Sequence, residues 1–525
     1  MSPERPGKKP GILIALVAAL PMVALPARAQ DTPGDASAPA FGMDPAAPQS
    51  ATLPGGMSPR AGAPAGPDWR FDFHGMFTAP LRVGFNSRED ARPGQSQLVL
   101  HAPPQVPDDL ETFSHTGVVP APYAQLNFSY GTNVVVGTAS IVATQPSIST
   151  GFFDPTSQLG VNDLFLTITP EFGEKTRFFI NVGAFSNRYG SPGEYDEGRY
   201  GTPLIARTNG VGENVGVTHR LGDFTIAAEQ GIQGQTGKPG NGSVPDPSNG
   251  FADAGMGASF VQHYHVGGGY KDLAFLGLHY LAAGSQDDRA AQNMPDGRMD
   301  IVGADLRLTM KRFGHFYFAA SHVDADNPRS IGRVVEILNS KGGAGFIRNY
   351  LADDVQNPEN PEGSALILGG QYDLSIGRLV SYPVPFTGDG PDIVASVFGM
   401  YVQTKSDYVG APNEPTYDGM KKYKFGLEGT YSLLPWFAAS MRYDNVTPNS
   451  DDSRQTFAII SPRLIFRTGW QAHDQIVLQY SHWFNGDRVI VRDGYPPVED
   501  RRMPPGPNRV DPDEDMISLS ASMWW

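Results

Sequence analysis

The sequence predicts an all-β fold, a single antiparallel up-and-down β-barrel of about 18 strands (roughly 16–18) that crosses a membrane. Three observations predict it. Segments of roughly ten residues alternate apolar and polar side chains, the connections between them alternate short and long, and the chain begins with an export signal. Because successive side chains of a strand point to opposite faces, such segments form a wall with one apolar and one polar face.

The composition limits the kind of protein that this chain can be. It has 525 residues, no cysteine and a formal net charge of −15. Without cysteine there are no disulfides, cysteine nucleophiles or thiolate metal sites, and the negative charge argues against nucleic acid as a partner. No Gly-x-Ser-x-Gly motif and no prominent acid–histidine cluster is visible. We therefore expect no enzyme, no catalytic residue and no cofactor.

The N-terminal part reads as export and spacer sequence. Basic residues precede a short apolar run at 12–20, and an Ala-Arg-Ala cleavage site ends at Ala29. We predict a signal peptide at 1–29 that is cleaved after Ala29. Residues 30–68 are rich in Pro, Ala and Gly without periodicity, which predicts a disordered periplasmic leader. The predicted barrel spans 69–525, and no later run reaches the ~20 apolar residues of a membrane helix.

The strand pattern recurs from Trp69 to the end of the chain. The predicted strands are 70–86, 122–130, 133–142, 161–170, 176–185, 211–220, 223–231, 256–270, 273–284, 299–311, 313–323, 364–374, 391–403, 421–431, 434–445, 454–467, 472–484 and 514–525. Tight turns such as Leu221-Gly222-Asp223 alternate with long connections, and 375–390 is the one exception. A soluble β-sandwich has no reason for this asymmetry, although a secreted β-protein remains an alternative.

The last strand carries a resemblance to a known family. Ile517, Leu519, Ala521, Met523 and Trp525 share one face, and Ser518, Ser520 and Ser522 share the other. This stretch resembles the closing strand of Gram-negative outer-membrane β-barrel porins, in which a terminal aromatic serves as the assembly signal. The resemblance assigns that role to Trp524 and Trp525.

The resemblance also carries expectations about location, partners and function. It implies a bacterial outer-membrane location and a water-filled channel for passive diffusion of small hydrophilic solutes, with a possible anion preference. The implied partners are the lipid bilayer, lipopolysaccharide and the barrel assembly machinery, and a homotrimer is one oligomeric state that the resemblance leaves open. The alternative is an outer-membrane barrel that has an enzymatic, adhesin or structural role and no open pore.

Charged residues on the predicted inner faces are candidates for setting selectivity. The pore-lining candidates are Lys422, Lys424, Glu428, Arg442, Asp444, Arg463, Arg467, Asp305 and Arg307. The basic members could form a positive stripe that favours anions. Alternatively, they pair with carboxylates such as Glu428 and Asp444 and brace the wall, which is the interpretation we favour.

A loop that folds into the bore would narrow the channel. The 186–210 loop carries opposed charges, and its constriction candidates are Arg188, Glu194, Asp196, Glu197, Arg199 and Arg207. The 324–363 loop is the rival, because it is the longest and has apolar runs. Histidines 263 and 265 share a face, and His279 could lie across from them on the next strand. We expect histidines that line the lumen there, and no metal.

Overall fold

The computed structural model describes 69–85, 117–120, 123–144, 158–170, 173, 175–189, 206–236, 258–271, 273–286, 297–326, 335–337, 362–381, 390–406, 421–447, 450, 457–470, 474–485 and 514–525. The predicted signal peptide and leader lie outside these residues and stay predictions. Within the described residues, no helix has the length and apolar character needed to cross a membrane.

Twenty strands and two short helices make up the described part of the chain. The strands are β1 (Arg70–Phe85), β2 (Gly117–Pro120), β3 (Tyr123–Gly131), β4 (Val135–Thr144), β5 (Gln158–Ile168), β6 (Thr176–Tyr189), β7 (Ala206–Leu221), β8 (Phe224–Thr236), β9 (Ala258–Tyr270), β10 (Ala274–Gln286), β11 (Arg298–Thr309), β12 (His315–Asp326), β13 (Val335–Ile337), β14 (Glu362–Ser375), β15 (Asp392–Ser406), β16 (Lys421–Leu434), β17 (Phe437–Thr447), β18 (Phe457–Phe466), β19 (Asp474–Asn485) and β20 (Glu514–Trp524). The helices are α1 (Ile376–Ser381) and a 3₁₀ turn at Lys311–Phe313.

The strands form one closed antiparallel sheet. β1 pairs with β20 from Met76↔Trp524 to Phe85↔Asp515, which joins the two ends of the sheet. β2 and β3 continue one register against β1, so together they count as one wall strand. β12 pairs directly with β14, and β13 instead pairs with β7. The wall therefore has 18 strands, and the predicted fold class is confirmed.

The two faces of the wall differ as the alternation predicts. On β5, Leu164 and Leu166 are exposed on the outer face, whereas Asp163 and Phe165 are buried on the inner face. On β20, Ile517 and Leu519 are exposed, and Ser518 and Ser520 are buried. Removal of apolar surface from water is favourable by about 25 cal/mol per Å². A barrel that exposes a belt of Leu, Val, Ile and Phe side chains is therefore stable only when lipid covers this belt.

The seam between the first and last strands is closed by the terminal tryptophan. The backbone amides of Gly75 and Trp525 donate to each other's carbonyl oxygens at 3.1 and 3.0 Å. A Cβ at Gly75 would lie 2.3 Å from the Trp525 ring, so glycine leaves the space that the indole occupies. The ring centroid of Phe73 lies 5.8 Å from that of Trp525. The C-terminal aromatic thus fixes the register of closure.

The connection at 375–390, the exception among the short turns, begins with helix α1. Asp392 at the start of β15 accepts hydrogen bonds from the amides of Gly377 and Ile393, both at 2.7 Å. The hydroxyl of Ser375 also donates to Asp392 and accepts from the amide of Arg378 at 3.0 Å. These bonds satisfy amides at the start of α1 that have no partner within the helix.

Candidate functional site

Charged side chains cluster on the inner wall at β16, β17 and β18. The guanidinium of Arg442 donates to both carboxylate oxygens of Asp444 at 2.7 and 3.0 Å and lies 3.7 Å from Glu428. Arg463 lies 2.7 Å from the same Glu428 carboxylate. The cross-strand pairing Glu428↔Arg442 and the diagonal position of Arg463 explain why these side chains meet. We call these four residues the arginine–carboxylate cluster.

The arginine–carboxylate cluster carries two positive and two negative charges in direct contact. For Arg442 and Arg463, the structure shows the predicted pairing with Glu428 and Asp444. Arg442 and Asp444 are 3% and 1% exposed, and burial of either charge alone would be costly. The cluster links three neighbouring strands. Each of its two arginines lies beside a carboxylate, so these two arginines do not form a stripe of excess positive charge. A role of these residues in lining an ion path stays a prediction.

The other basic candidates of this wall differ. Arg467 lies one residue beyond the end of β18. Its guanidinium donates to the carbonyl of Pro435 at 3.1 Å and lies over the Trp470 ring at 5.6 Å, and its role in lining the pore stays a prediction. Arg467 therefore links the turn at Pro435 to the turn at Trp470. Partial burial lowers the pKa of its guanidinium. Positions 422 and 424 belong to β16, but the side chains of Lys422 and Lys424 lie outside the described part.

A second group of charged side chains occupies the inner faces of β8 to β11. His263 is buried, and its Nε2 lies 3.4 Å from Glu229 and 3.3 Å from the amide oxygen of Asn214. His265 Nε2 lies 3.3 Å from Asp305. We call Glu229, His263, His265, His279 and Asp305 the histidine–carboxylate cluster.

His279 completes the histidine–carboxylate cluster. It pairs across strands with His265, as expected, and its Nδ1 lies 3.9 Å from Asp305. Its Nε2 lies 3.0 Å from the hydroxyl of Ser321. The pore-lining candidate Arg307, two positions from Asp305 on β11, has its guanidinium 6.0 Å from the centroid of the Phe275 ring.

Glycines on neighbouring strands make room for all three imidazoles. A Cβ at Gly231 would lie 2.4 Å from a ring carbon of His263. One at Gly277 would lie 2.4 Å from His265, and one at Gly303 would lie 2.4 Å from His279. Since a side chain at any of these positions would collide with the ring, the glycines let the histidines lie flat along the wall.

The sequence located part of this cluster and missed the rest. The shared face of His263 and His265 and the position of His279 across from His265 are observed in the structure. The contacts to Glu229 and Asp305 were not foreseen, because they depend on the register of four strands. The cross-strand pair Glu229↔His265 is the signal that a correct register would have supplied. Among the described residues, no group of three or more His, Asp or Glu side chains is arranged to hold a metal ion.

An apolar patch on the inner wall departs from the predicted pattern. Cross-strand neighbours Leu281, Ile301, Val323 and Ala365 form a buried row that continues from His263. Strict alternation had predicted a polar inner face throughout. Because both faces of these strands are apolar near the long connections, the inner wall has polar and apolar sectors.

The predicted constriction loops are shorter than expected. β6 extends to Tyr189 and β7 begins at Ala206, so Arg188 and Arg207 are paired wall positions with undescribed side chains. Glu194, Asp196, Glu197 and Arg199 lie outside the described residues. In the rival 324–363 connection, Val335–Ile337 forms β13 and pairs with Ala206–Thr208 of β7. This part of the connection from β12 to β14 therefore lies beside a strand that is not next to either of them in the wall.

The chain can also be compared with known proteins. No family profile and no curated protein sequence matches it. Similar solved structures include OmpT, an outer membrane protein of Vibrio cholerae (10% identity, TM-score 0.35), OccK10 (OpdN) of Pseudomonas aeruginosa (11%, 0.37) and the outer membrane channel DcaP of Acinetobacter baumannii (10%, 0.36). The alignments cover 87% of this chain and 99%, 99% and 97% of the respective structures. These likenesses concern the fold alone. The strand pairing identifies the chain as a closed 18-stranded antiparallel up-and-down β-barrel, and the exposed apolar side chains of its outer face suit contact with lipid.

Proposed function

We propose that the protein is a porin-like channel of the bacterial outer membrane that lets small hydrophilic solutes diffuse passively. One observation carries this proposal: the closed 18-stranded wall is apolar outside and bears charged, amide and hydroxyl side chains inside. A closed barrel satisfies all its backbone groups within lipid, and barrels of about 16–18 strands with polar interiors leave an aqueous channel.

Partly exposed charges on opposite sectors of the wall support the proposal. The side chains of Glu229 and Glu428 are 22% and 20% exposed. Because an ionised carboxylate away from water is costly, their exposure supports water within the bore. Charged groups of both signs on the inner wall suit the permeation of polar solutes. We extend the proposal to the expected partners: lipid, lipopolysaccharide, the assembly machinery acting on Trp524 and Trp525, and a homotrimer.

One arrangement favours an enzyme as the second candidate. Ser321, His279 and Asp305 are ordered as a nucleophile, a base and an orienting carboxylate, with separations of 3.0 and 3.9 Å. The Ser321 side chain is 1% exposed, which argues against access of a substrate carbonyl to its hydroxyl. If Ser321→Ala abolished hydrolysis of short-chain nitrophenyl esters by the purified barrel, the enzyme would replace the channel as the better proposal.

Conductance in planar lipid bilayers tests the channel directly. Purified, heat-modifiable barrel is added to one chamber, and stepwise increases in current are expected at moderate salt. Barrel that has been heated to unfold it before addition is the matched control and should give no steps. If folded barrel inserts into liposomes but neither produces current steps nor releases small encapsulated sugars, the channel proposal is wrong.

A further inference from the structure

We propose that the histidine–carboxylate cluster sets the charge selectivity of the channel according to pH, favouring cations at neutral pH and losing this preference in acid. The inference rests on the proposed channel function and assigns selectivity to residues on the inner faces of β8 to β11. It concerns the electrostatic potential along the bore and requires no movement of the wall.

The composition of the cluster gives it a large range of charge. With neutral imidazoles, Glu229 and Asp305 give it a charge of −2, and with three protonated imidazoles it reaches +1. Histidine is the side chain whose ordinary pKa, about 6.5, lies in this pH range. The arginine–carboxylate cluster lacks such a group, so its charge stays constant between neutral and mildly acidic pH.

The contacts of the cluster suit both protonation states. A protonated His263 would face Glu229 at 3.4 Å, and protonated His265 and His279 would share Asp305 at 3.3 and 3.9 Å. Neutral imidazoles keep hydrogen-bonding distance to neutral groups, as His279 does to Ser321. Uptake of protons therefore needs no rearrangement of the wall.

Other titratable groups face the cluster from the neighbouring strands. β11 adds Arg307, two positions from Asp305 on the same face, and Tyr317 of β12 pairs with Arg307. His315 follows on the same face of β12. Arg307 and Tyr317 keep their charge state between neutral pH and mildly acidic pH, and their contribution is a constant offset. His315 lies one inner-face position beyond Tyr317, so it is included among the control variants below.

Solvent reaches the cluster through two of its members. The side chains of Glu229 and His265 are 22% and 18% exposed, and they lie opposite each other on β8 and β9. Protons and permeating ions therefore meet the cluster at this pair. The charge range of the cluster, acting at ~10 Å and screened by salt over a similar distance, corresponds to a change of about fourfold in the cation-to-anion permeability ratio.

The experiment measures reversal potentials of single channels under a KCl gradient at about pH 7.5 and about pH 5. In the unmodified protein, the ratio of K⁺ to Cl⁻ permeability should fall by about fourfold on acidification. The triple variant His263→Gln, His265→Gln, His279→Gln should lose most of this fall. The matched controls are His322→Gln, at an exposed outer-face histidine beside Asp324, and His315→Gln; both should retain it.

Each outcome decides between the alternatives. The proposal is overturned if the K⁺ to Cl⁻ permeability ratio falls as much on acidification in the triple variant as in the unmodified protein. It is also overturned if this ratio does not fall in the unmodified protein. If the triple variant does not fold, His265→Gln alone is measured, and an unchanged dependence on pH overturns it as well. Absence of conductance at every pH would instead refute the channel function on which the inference rests.

Discussion

Removal of the carboxylate of Asp444 tests whether the inner wall holds its arginines by direct pairing. In Asp444→Asn, the guanidinium of Arg442 loses the negative charge of the carboxylate to which it donates hydrogen bonds at 2.7 and 3.0 Å. It retains the ion pair with Glu428 at 3.7 Å. Arg442 is 3% exposed, so water replaces little of the lost interaction. Breaking such a buried pair costs about 3–5 kcal/mol, and because Glu428 remains we expect about 3 kcal/mol.

The assay is reversible urea unfolding of the barrel in lipid vesicles, followed by tryptophan fluorescence. The matched control is Asp223→Asn, which removes the exposed ion pair between Asp223 and Lys271, whose charged atoms lie 3.2 Å apart. This change should lower the free energy of unfolding by less than ~1 kcal/mol. The double variant Arg442→Met, Asp444→Leu should regain most of the lost stability, since it buries no charge. Equal destabilisation by Asp444→Asn and Asp223→Asn would refute the reasoning and would mean that water in the bore solvates Arg442.

Three further changes have defined expectations. Gly75→Leu should displace the Trp525 indole and reduce the yield of heat-modifiable barrel, whereas Gly399→Ala, with open space around its Cβ, should not. Gly222→Ala places a side chain at φ +63°, costing about 1 kcal/mol in urea unfolding; a smaller cost than that of Gly399→Ala would contradict this. Glu428→Gln should shift reversal potentials toward anion preference; unchanged potentials would place Glu428 away from the ion path.

Strand positions were predictable because lipid and water impose opposite demands on the two faces of each strand. The alternation in 164–168 and 517–523 is strict, and both strands were located within a few residues. Arg467 was predicted to lie within a strand because the alternation continues past Phe466, where β18 ends. The extent of β6 and β7 was underestimated because Asn, Arg and Gly residues at 186–210 resemble loop sequence.

The site was less predictable than the wall. The pairing of Arg442 with Asp444 depends on residues two apart on one strand, and it could be anticipated. The side chains of His265 and Asp305 are in contact although the two residues are 40 positions apart in the sequence. A register error of one residue would turn either side chain to the opposite face of the wall. The inner apolar row was missed because segments such as Met299-Asp300-Ile301-Val302 carry apolar residues on both faces of the strand. Such a pattern does not show which of these residues point into the bore.

Closure of the sheet has a consequence for how the protein acquires its structure. β1 and β20 pair over ten positions, although Met76 and Trp524 stand at opposite ends of the barrel sequence. Both edges stay unsatisfied until β1 and β20 pair, and open edges of this length invite pairing with other chains. Hairpins can form early, but their circular arrangement completes only at the last step. Deletion of β20 would therefore leave an open, aggregation-prone sheet rather than a slightly smaller barrel.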